Sequence, residues 1–343
     1  MKEEIAKTSR DKFYTIDAYT HFSTMGFIEL LESLSGVYPN PFRVLFEHND
    51  PLIDPVPRIQ AMDRVNADVH ILIPLPSLES SPVVYADRPK ALRAAQYIND
   101  AISCIVEQNP KRFRGVAMLP TFNADDMLLE FDRAVTQLHM VGGYFVVSSM
   151  TKAPDHPDYR RLYAKACDLD VPLWIHPARA AAPADYQGES LSKYNIWMTI
   201  GWPMDTSIAM NRIVFSGVFD QYPNLKLITH HRGALIPFWF NRINAIVLQQ
   251  ARASVDILPP YMKHFQKFYI DTACNAVEPE QMKMAYTFFG ADHTLFGTDT
   301  PLDGSGGSTF YSDARASLEM IGLPRKTLTK VYSANVLRII PGL

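Results

Sequence analysis

Ile16-Asp17-Ala18-Tyr19-Thr20-His21, Leu173-Trp174-Ile175-His176-Pro177, Leu227-Ile228-Thr229-His230-His231 and Leu295-Phe296-Gly297-Thr298-Asp299 share one design: an apolar run of strand length that stops at or beside a His or an Asp. Histidine and aspartate bind metals and move protons. Separate strands that deliver such groups from their carboxyl ends to one point define the active-site end of a (β/α)8 barrel. These segments are spread over nearly the whole chain, so their reading sets the fold class, α/β, and places the site.

Working outward, strands are expected at 13–18, 69–75, 113–119, 143–147, 171–176, 225–230, 268–271 and 294–297. Several are almost continuously apolar, as befits parallel strands covered on both faces. Segments with helical periodicity lie between them, at 57–65, 91–106, 125–138, 156–167, 204–219, 234–249, 279–289, 312–320 and 328–339. Strand and helix in alternation read as parallel units joined by right-handed crossovers. An open doubly wound sheet would carry a glycine-rich phosphate turn after the first strand, and 17–21 contains no glycine. One barrel domain over residues 1–343 is therefore expected. Long loops are expected at 23–57, 177–201 and 300–309, all following strand carboxyl ends, and the last holds Gly304-Ser305-Gly306-Gly307-Ser308.

Composition narrows the function. With 47% hydrophobic residues, 20% charged residues and a net charge of -3, the 343-residue chain can bury a large core. It offers no field for nucleic acid or an anionic membrane. No apolar run is long enough to cross a bilayer. Met1 to Lys12 is charged and lacks an apolar signal core, so the expected compartment is the cytoplasm. Cys104, Cys167 and Cys274, odd in number and widely spaced, suit buried thiols there rather than a disulfide framework.

His21, His176 and Asp299 are candidate metal ligands, since imidazole nitrogen and carboxylate oxygen suit zinc and neighbouring divalent ions. Alone, each reads equally as a hydrogen-bonded structural residue or a turn former; jointly, on strands one, five and eight, they point to a centre.

The same residues carry a resemblance. A first-strand His, a fifth-strand His-Pro, His231-Arg232-Gly233-Ala234-Leu235-Ile236-Pro237 and Phe296-Gly297-Thr298-Asp299-Thr300-Pro301 resemble the amidohydrolase superfamily. More narrowly, they are similar to the branch that contains 2-amino-3-carboxymuconate-6-semialdehyde decarboxylase and γ-resorcylate decarboxylase. Arg58-Ile59-Gln60-Ala61-Met62-Asp63, Phe113-Arg114-Gly115 and the stretch from Ser216 to Lys226 extend the likeness over most of the chain. It implies a metal-dependent nonoxidative decarboxylase of a small unsaturated or aromatic carboxylic acid. One divalent ion, Zn2+ or else Mn2+, would sit on His21, His176 and Asp299. His231, six residues before Pro237, would be the catalytic base, with Asp299 also handling the proton. Strand alternation lets only one of His230 and His231 face the axis, which leaves His230 a structural role.

Arg43 and Arg242 match arginines that grip the substrate carboxylate, the second from a neighbouring subunit, so a homodimer or homotetramer is implied. One departure stands out. The family has His-x-His or Glu-x-His at the end of the first strand, and here the leading member is Tyr19. A neutral phenol is a poor ligand. Either the metal keeps the other three ligands, or Tyr19 donates its hydroxyl to substrate. A lactone or amide hydrolase on the same barrel is the alternative reading.

Overall fold

A computed structural model describes residues 12–148, 151–251, 261–273 and 275–343. Its strands are β1 (Ile16–His21), β2 (Val69–Ile73), β3 (Phe113–Gly115), β4 (Ala117–Met118), β5 (Gly143–Val147), β6 (Leu173–Pro177), β7 (Leu227–Thr229) and β8 (Tyr269–Ile270). Each pairs with its neighbours in parallel, in the orders β1-β2-β3 and β4-β5-β6-β7-β8.

The two sheets are one. β3 and β4 are halves of the third barrel strand, which passes from β2 to β5 at Val116. The Val116 amide donates to Leu72 O at 3.0 Å and the Ala117 amide to Gly142 O at 2.9 Å. The eighth strand of the barrel, 294–300, which follows β8 and carries only isolated bridges, is too irregular to run as a continuous ladder, yet it closes the ring. Leu295 N donates to Ile270 O, Ala18 N to Phe296 O and His21 N to Thr300 O, each at 2.8 Å. Asp17 pins this seam: its carboxylate accepts from Thr298 Oγ1 at 2.6 Å and from Thr298 N at 3.1 Å. The result is the expected closed parallel barrel.

Every residue of β1, β2, β5 and β6 is buried, because helices cover the outer face and side chains fill the axis. Tyr19, Tyr144 and Trp174 occupy that interior. Trp174 Nε1 donates across it to Ala18 O at 2.9 Å. Space near the axis is tight at Gly297, where an added Cβ would lie 2.8 Å from Asp271 Cβ and 3.0 Å from Tyr19 Cβ. Gly297→Ala is expected to destabilise the barrel by about 1–3 kcal/mol through overpacking. A denaturant midpoint equal to wild type would show that the strands can separate freely there.

The helices start where short polar side chains satisfy first-turn amides. Asp54, Asp87, Asn123 and His156 each accept from an amide two or three residues ahead. In Arg88–Gln108 the buried residues Ala91, Ala94, Ala95, Ile98 and Ile102 recur at three- and four-residue steps, so one stripe faces the sheet.

The region 23–57, expected as a loop, instead holds the helix Met25–Ser35 and the short helices Arg43–Glu47 and Asp50–Ile53. Thr24 caps the first of these, and Gly36, at φ 71°, ends it. Residues 177–201 hold only the helical turn Ile196–Thr199, and the glycine stretch ends where Ser308–Met320 begins. The helix expected at 328–339 is broken at a wide turn, Lys330–Ala334. Asn335 there donates to Ala291 O at 2.7 Å and Thr294 O at 2.8 Å, which ties the chain's end to the closing strand. Of the cysteines expected to be buried, Cys104 is exposed and Cys167 partly so; Cys274 lies outside the described residues.

Candidate metal centre

The carboxyl ends of β1, β6 and β7 and the segment after Phe296 meet at one mouth of the barrel. His21 ends β1, is wholly buried, and donates from Nδ1 to Ile73 O at 3.2 Å. His176, in β6, donates from Nδ1 to Pro177 O at 2.5 Å. Each bond places the ring proton on Nδ1 and leaves Nε2 with a lone pair. Yet the two Nε2 atoms face each other at 3.3 Å. Burial, with His21 and His230 alongside, holds the His176 imidazole well below the usual histidine range, so it is neutral.

Asp299 completes the group from the closing strand. Its backbone is left-handed, φ 66°, which turns the carboxylate inward instead of along the strand. Asp299 Oδ1 lies 3.1 Å from His21 Nε2. Burial works against its charge, but His230 and His21 outweigh it and hold the carboxyl well below its ordinary range.

His230 was expected to be structural and His231 to face the axis alone. The structure turns both rings toward Asp299. Strand alternation stops at His230, because His231 (φ 57°) and Arg232 (φ 59°) are left-handed. His230 is wholly buried, hydrogen-bonds through Nδ1 to the Asp271 carboxylate, and puts Nε2 3.2 Å from Asp299 Oδ1. That Nε2 has no aligned hydrogen-bond partner. Burial disfavours a charge on this ring, yet Asp271 and Asp299 together raise its pKa to about 10. Two carboxylates thus flank this ring, one at each nitrogen. His231 sits further out, Nε2 4.0 Å from Asp299 Oδ2, its side chain 21% exposed and its Nδ1 without a partner. Burial and the neighbouring His230 lower its pKa, so its imidazole is a free base at neutral pH.

These donors fit a divalent cation. Ligand atoms ~2.0–2.2 Å from a tetrahedral ion stand roughly 3.3–3.6 Å apart, a little beyond the 3.1–3.3 Å separations here. One donor atom from each of His21, His230 and Asp299 lies within 4.8 Å of the others. Asp271 behind His230 and carbonyls behind His21 and His176 supply the outer hydrogen bonds that orient metal-binding imidazoles. Asp271 went unassigned in the sequence, although it was legible as a carboxylate at the end of a strand expected at 268–271.

Tyr19 is corrected. Its hydroxyl donates to Ile175 O at 3.1 Å, and its ring lies flat on His230 with centroids 3.8 Å apart. Burial, then Asp271 and Asp299, raise the phenol well above its ordinary range. It is neutral and wholly buried, with its hydroxyl engaged by the backbone. Arg43 is also elsewhere. Its fork holds Glu32, with Nε 2.7 Å from Oε1 and Nη2 2.5 Å from Oε2, and its Nη1 reaches Glu47 at 3.1 Å. Both donor edges are taken by carboxylates of the chain itself. Arg242 is exposed on the helix Ile236–Ala251, its guanidinium 5.6 Å from the Trp239 ring centroid and outside the cluster. On the open side Trp202 stands edge-on to His176, ring centroids 5.9 Å apart.

The amidohydrolase family model matches residues 16–341, and the chain belongs to that family. Among relatives, the 2-amino-3-carboxymuconate-6-semialdehyde decarboxylase of Dictyostelium discoideum is 29% identical over 252 residues, 72% of this chain and 67% of that protein. A γ-resorcylate decarboxylase of Rhizobium sp. is 29% identical over 290 residues, 80% of this chain and 85% of that one. A dihydroxybenzoic acid decarboxylase from Polaromonas sp. JS666, solved with bound manganese and the inhibitor 2-nitroresorcinol, superposes with a TM-score of 0.75 at 26% identity, covering 96% of this chain and 97% of that one. The 5-carboxyvanillate decarboxylase of Sphingomonas paucimobilis shares the fold at a TM-score of 0.81 and 20% identity, covering 96% and 99%. Among the described residues, no helix is long and apolar enough to cross a membrane.

Proposed function

We propose that this protein is a metal-dependent nonoxidative decarboxylase, a carboxy-lyase acting on a small aromatic or unsaturated carboxylic acid. The observation that carries the reading is the convergence of imidazole nitrogens on the Asp299 carboxylate at the barrel mouth, in a chain whose relatives across most of its length are decarboxylases. His21, His176 and Asp299 would hold the ion. Zn2+ and Mn2+ both suit nitrogen and oxygen donors, and the manganese in a related decarboxylase supports the second. When bound, such an ion supplies Lewis-acid polarisation of the substrate's carboxylate or an adjacent oxygen.

Loss of CO2 leaves an electron pair on carbon, and a proton must take the vacated bond. His231, free base and about a fifth exposed, is placed to take up a proton from water or from the substrate's own acidic group at the barrel mouth and return it to that carbon, with Asp299 beside it. The test is direct: incubation with a panel of hydroxybenzoates and unsaturated dicarboxylates, with released CO2 trapped and acid production followed in parallel. Stoichiometric CO2 is expected. Acid release from lactones or amides without CO2 would install the hydrolase reading instead.

A homodimer or homotetramer belongs to this proposal. Phe238 is 68% exposed and Trp239 43% exposed beside Arg242, an apolar and cationic strip suited to a second copy. If Arg242 reaches a neighbour's substrate, mixing inactive His231→Ala and Arg242→Ala subunits should restore part of the activity. Exchange of subunits without recovery would confine Arg242 to its own protomer.

A further inference from the structure

We infer that His230 is itself a ligand of the metal centre, occupying the coordination place that Tyr19 leaves empty, so that adjacent histidines divide the work: His230 binds and His231 handles the proton. This rests on the metal-dependent reading above. Its support is geometric. The Tyr19 hydroxyl is committed to Ile175 O, 3.1 Å away, so β1 presents only His21 to the centre. The Tyr19 ring lies parallel to the His230 imidazole within 6°. Filling the room where a second β1 ligand would project, that flat phenol walls one side of His230 and the tilted His231 ring, 3.7 Å away, the other.

Asp271, itself wholly buried, holds Nδ1 of His230 and so fixes the direction of Nε2. Nε2 is buried, lacks an aligned hydrogen-bond partner, and lies 3.2 Å from Asp299 Oδ1. A nitrogen aimed beside a carboxylate oxygen rather than along a hydrogen bond to it is aimed at a point they share. His21 supplies the third donor about that point, all within 4.8 Å of one another. A left-handed backbone at His231 makes the division feasible, since it lets consecutive side chains turn to the same side. His231 Nε2, 4.0 Å from Asp299 Oδ2 and partly exposed, is left outside the tight group.

The experiment uses metal-stripped full-length protein titrated with Co2+. His21, His176 and His230 each keep a ring N–H on Nδ1, toward Ile73 O, Pro177 O and the Asp271 carboxylate. The Co2+ protein is therefore expected to show three strongly shifted exchangeable ring N–H proton resonances. His230→Ala should remove one of them and weaken Co2+ binding by more than about 100-fold, beyond the roughly 10–100-fold that Asp271→Asn should cost as an outer partner. His231→Ala should keep all three. Two resonances in the wild-type protein, a measurement independent of any variant's folding, would overturn the assignment while leaving a metal on His21, His176 and Asp299. Retention of wild-type affinity in His230→Ala would do the same. A protein that takes up no Co2+ would remove this inference together with the metal-dependent reading.

Discussion

Asp299→Asn is expected to lose bound metal and turnover together, with affinity lowered at least ~100-fold, the upper range for disturbing even an outer partner of a metal ligand, and activity lowered in step. Asp299 is the carboxylate on which the buried histidines converge, 3.1 Å from His21 Nε2, 3.2 Å from His230 Nε2 and 4.0 Å from His231 Nε2. Asparagine matches it in shape and tolerates its left-handed backbone, φ 66°. The substitution thus removes charge while leaving the seam of the barrel intact. An amide cannot offset the charge of a divalent ion, and its NH2 group points a donor where a lone pair is needed. Metal analysis of purified variant and wild type, with thermal melting to confirm folding, checks the result. Equal metal loading would show that Asp299 is no ligand and leave it only a role in proton transfer.

How far the sequence carried this description depends on what each residue needed in order to be read. His21, His176 and Asp299 stood at the ends of apolar runs. Such runs are legible because strands buried on both faces leave little room for polar residues until they end. The structure sets His21 against both Asp299 and His176. Asp17, also in β1, broke that logic: a wholly buried carboxylate that fastens Thr298 and closes the barrel. Burial raises its pKa to about 7.

Strand alternation failed at His230 and His231 for a reason of backbone geometry. Alternation holds only while φ and ψ stay extended, and nothing in Thr229-His230-His231-Arg232 announces a left-handed turn at a residue other than glycine. Arg43 was misread for a reason of competition. Its partner Glu32 comes from a helix in a stretch expected as loop, and an arginine whose fork is already filled cannot be told from a free one by spacing. The helix Met25–Ser35 was signalled by Thr24 ahead of it and Gly36 behind it. Reading the whole of 23–57 as one long loop hid both caps. Family likeness and geometry therefore answer different questions. The likeness locates the centre, and the geometry shows which side chains of this chain reach it.

His231→Ala should separate binding from chemistry. Turnover is expected to fall by about 10²–10⁴-fold, the usual contribution of a positioned acid or base, while metal content stays near that of wild type. The physical ground is the position of the ring. Its centroid lies 3.7 Å from that of His230, with the rings tilted, but it stands 4.0 Å from Asp299 Oδ2, with part of its surface exposed. Its Nδ1 has no partner in the protein. Burial and the neighbouring His230 keep its pKa low, so it meets the substrate as a base and takes up there the proton that it returns to carbon. Because the left-handed backbone at 231 orients the ring without help from the metal, alanine there should leave His21, His230 and Asp299 in place. Steady-state rates and metal analysis on the same preparation test this. Unchanged turnover would end the assigned role, and lost metal would make His231 a ligand, returning His230 to the structural place that strand alternation first gave it.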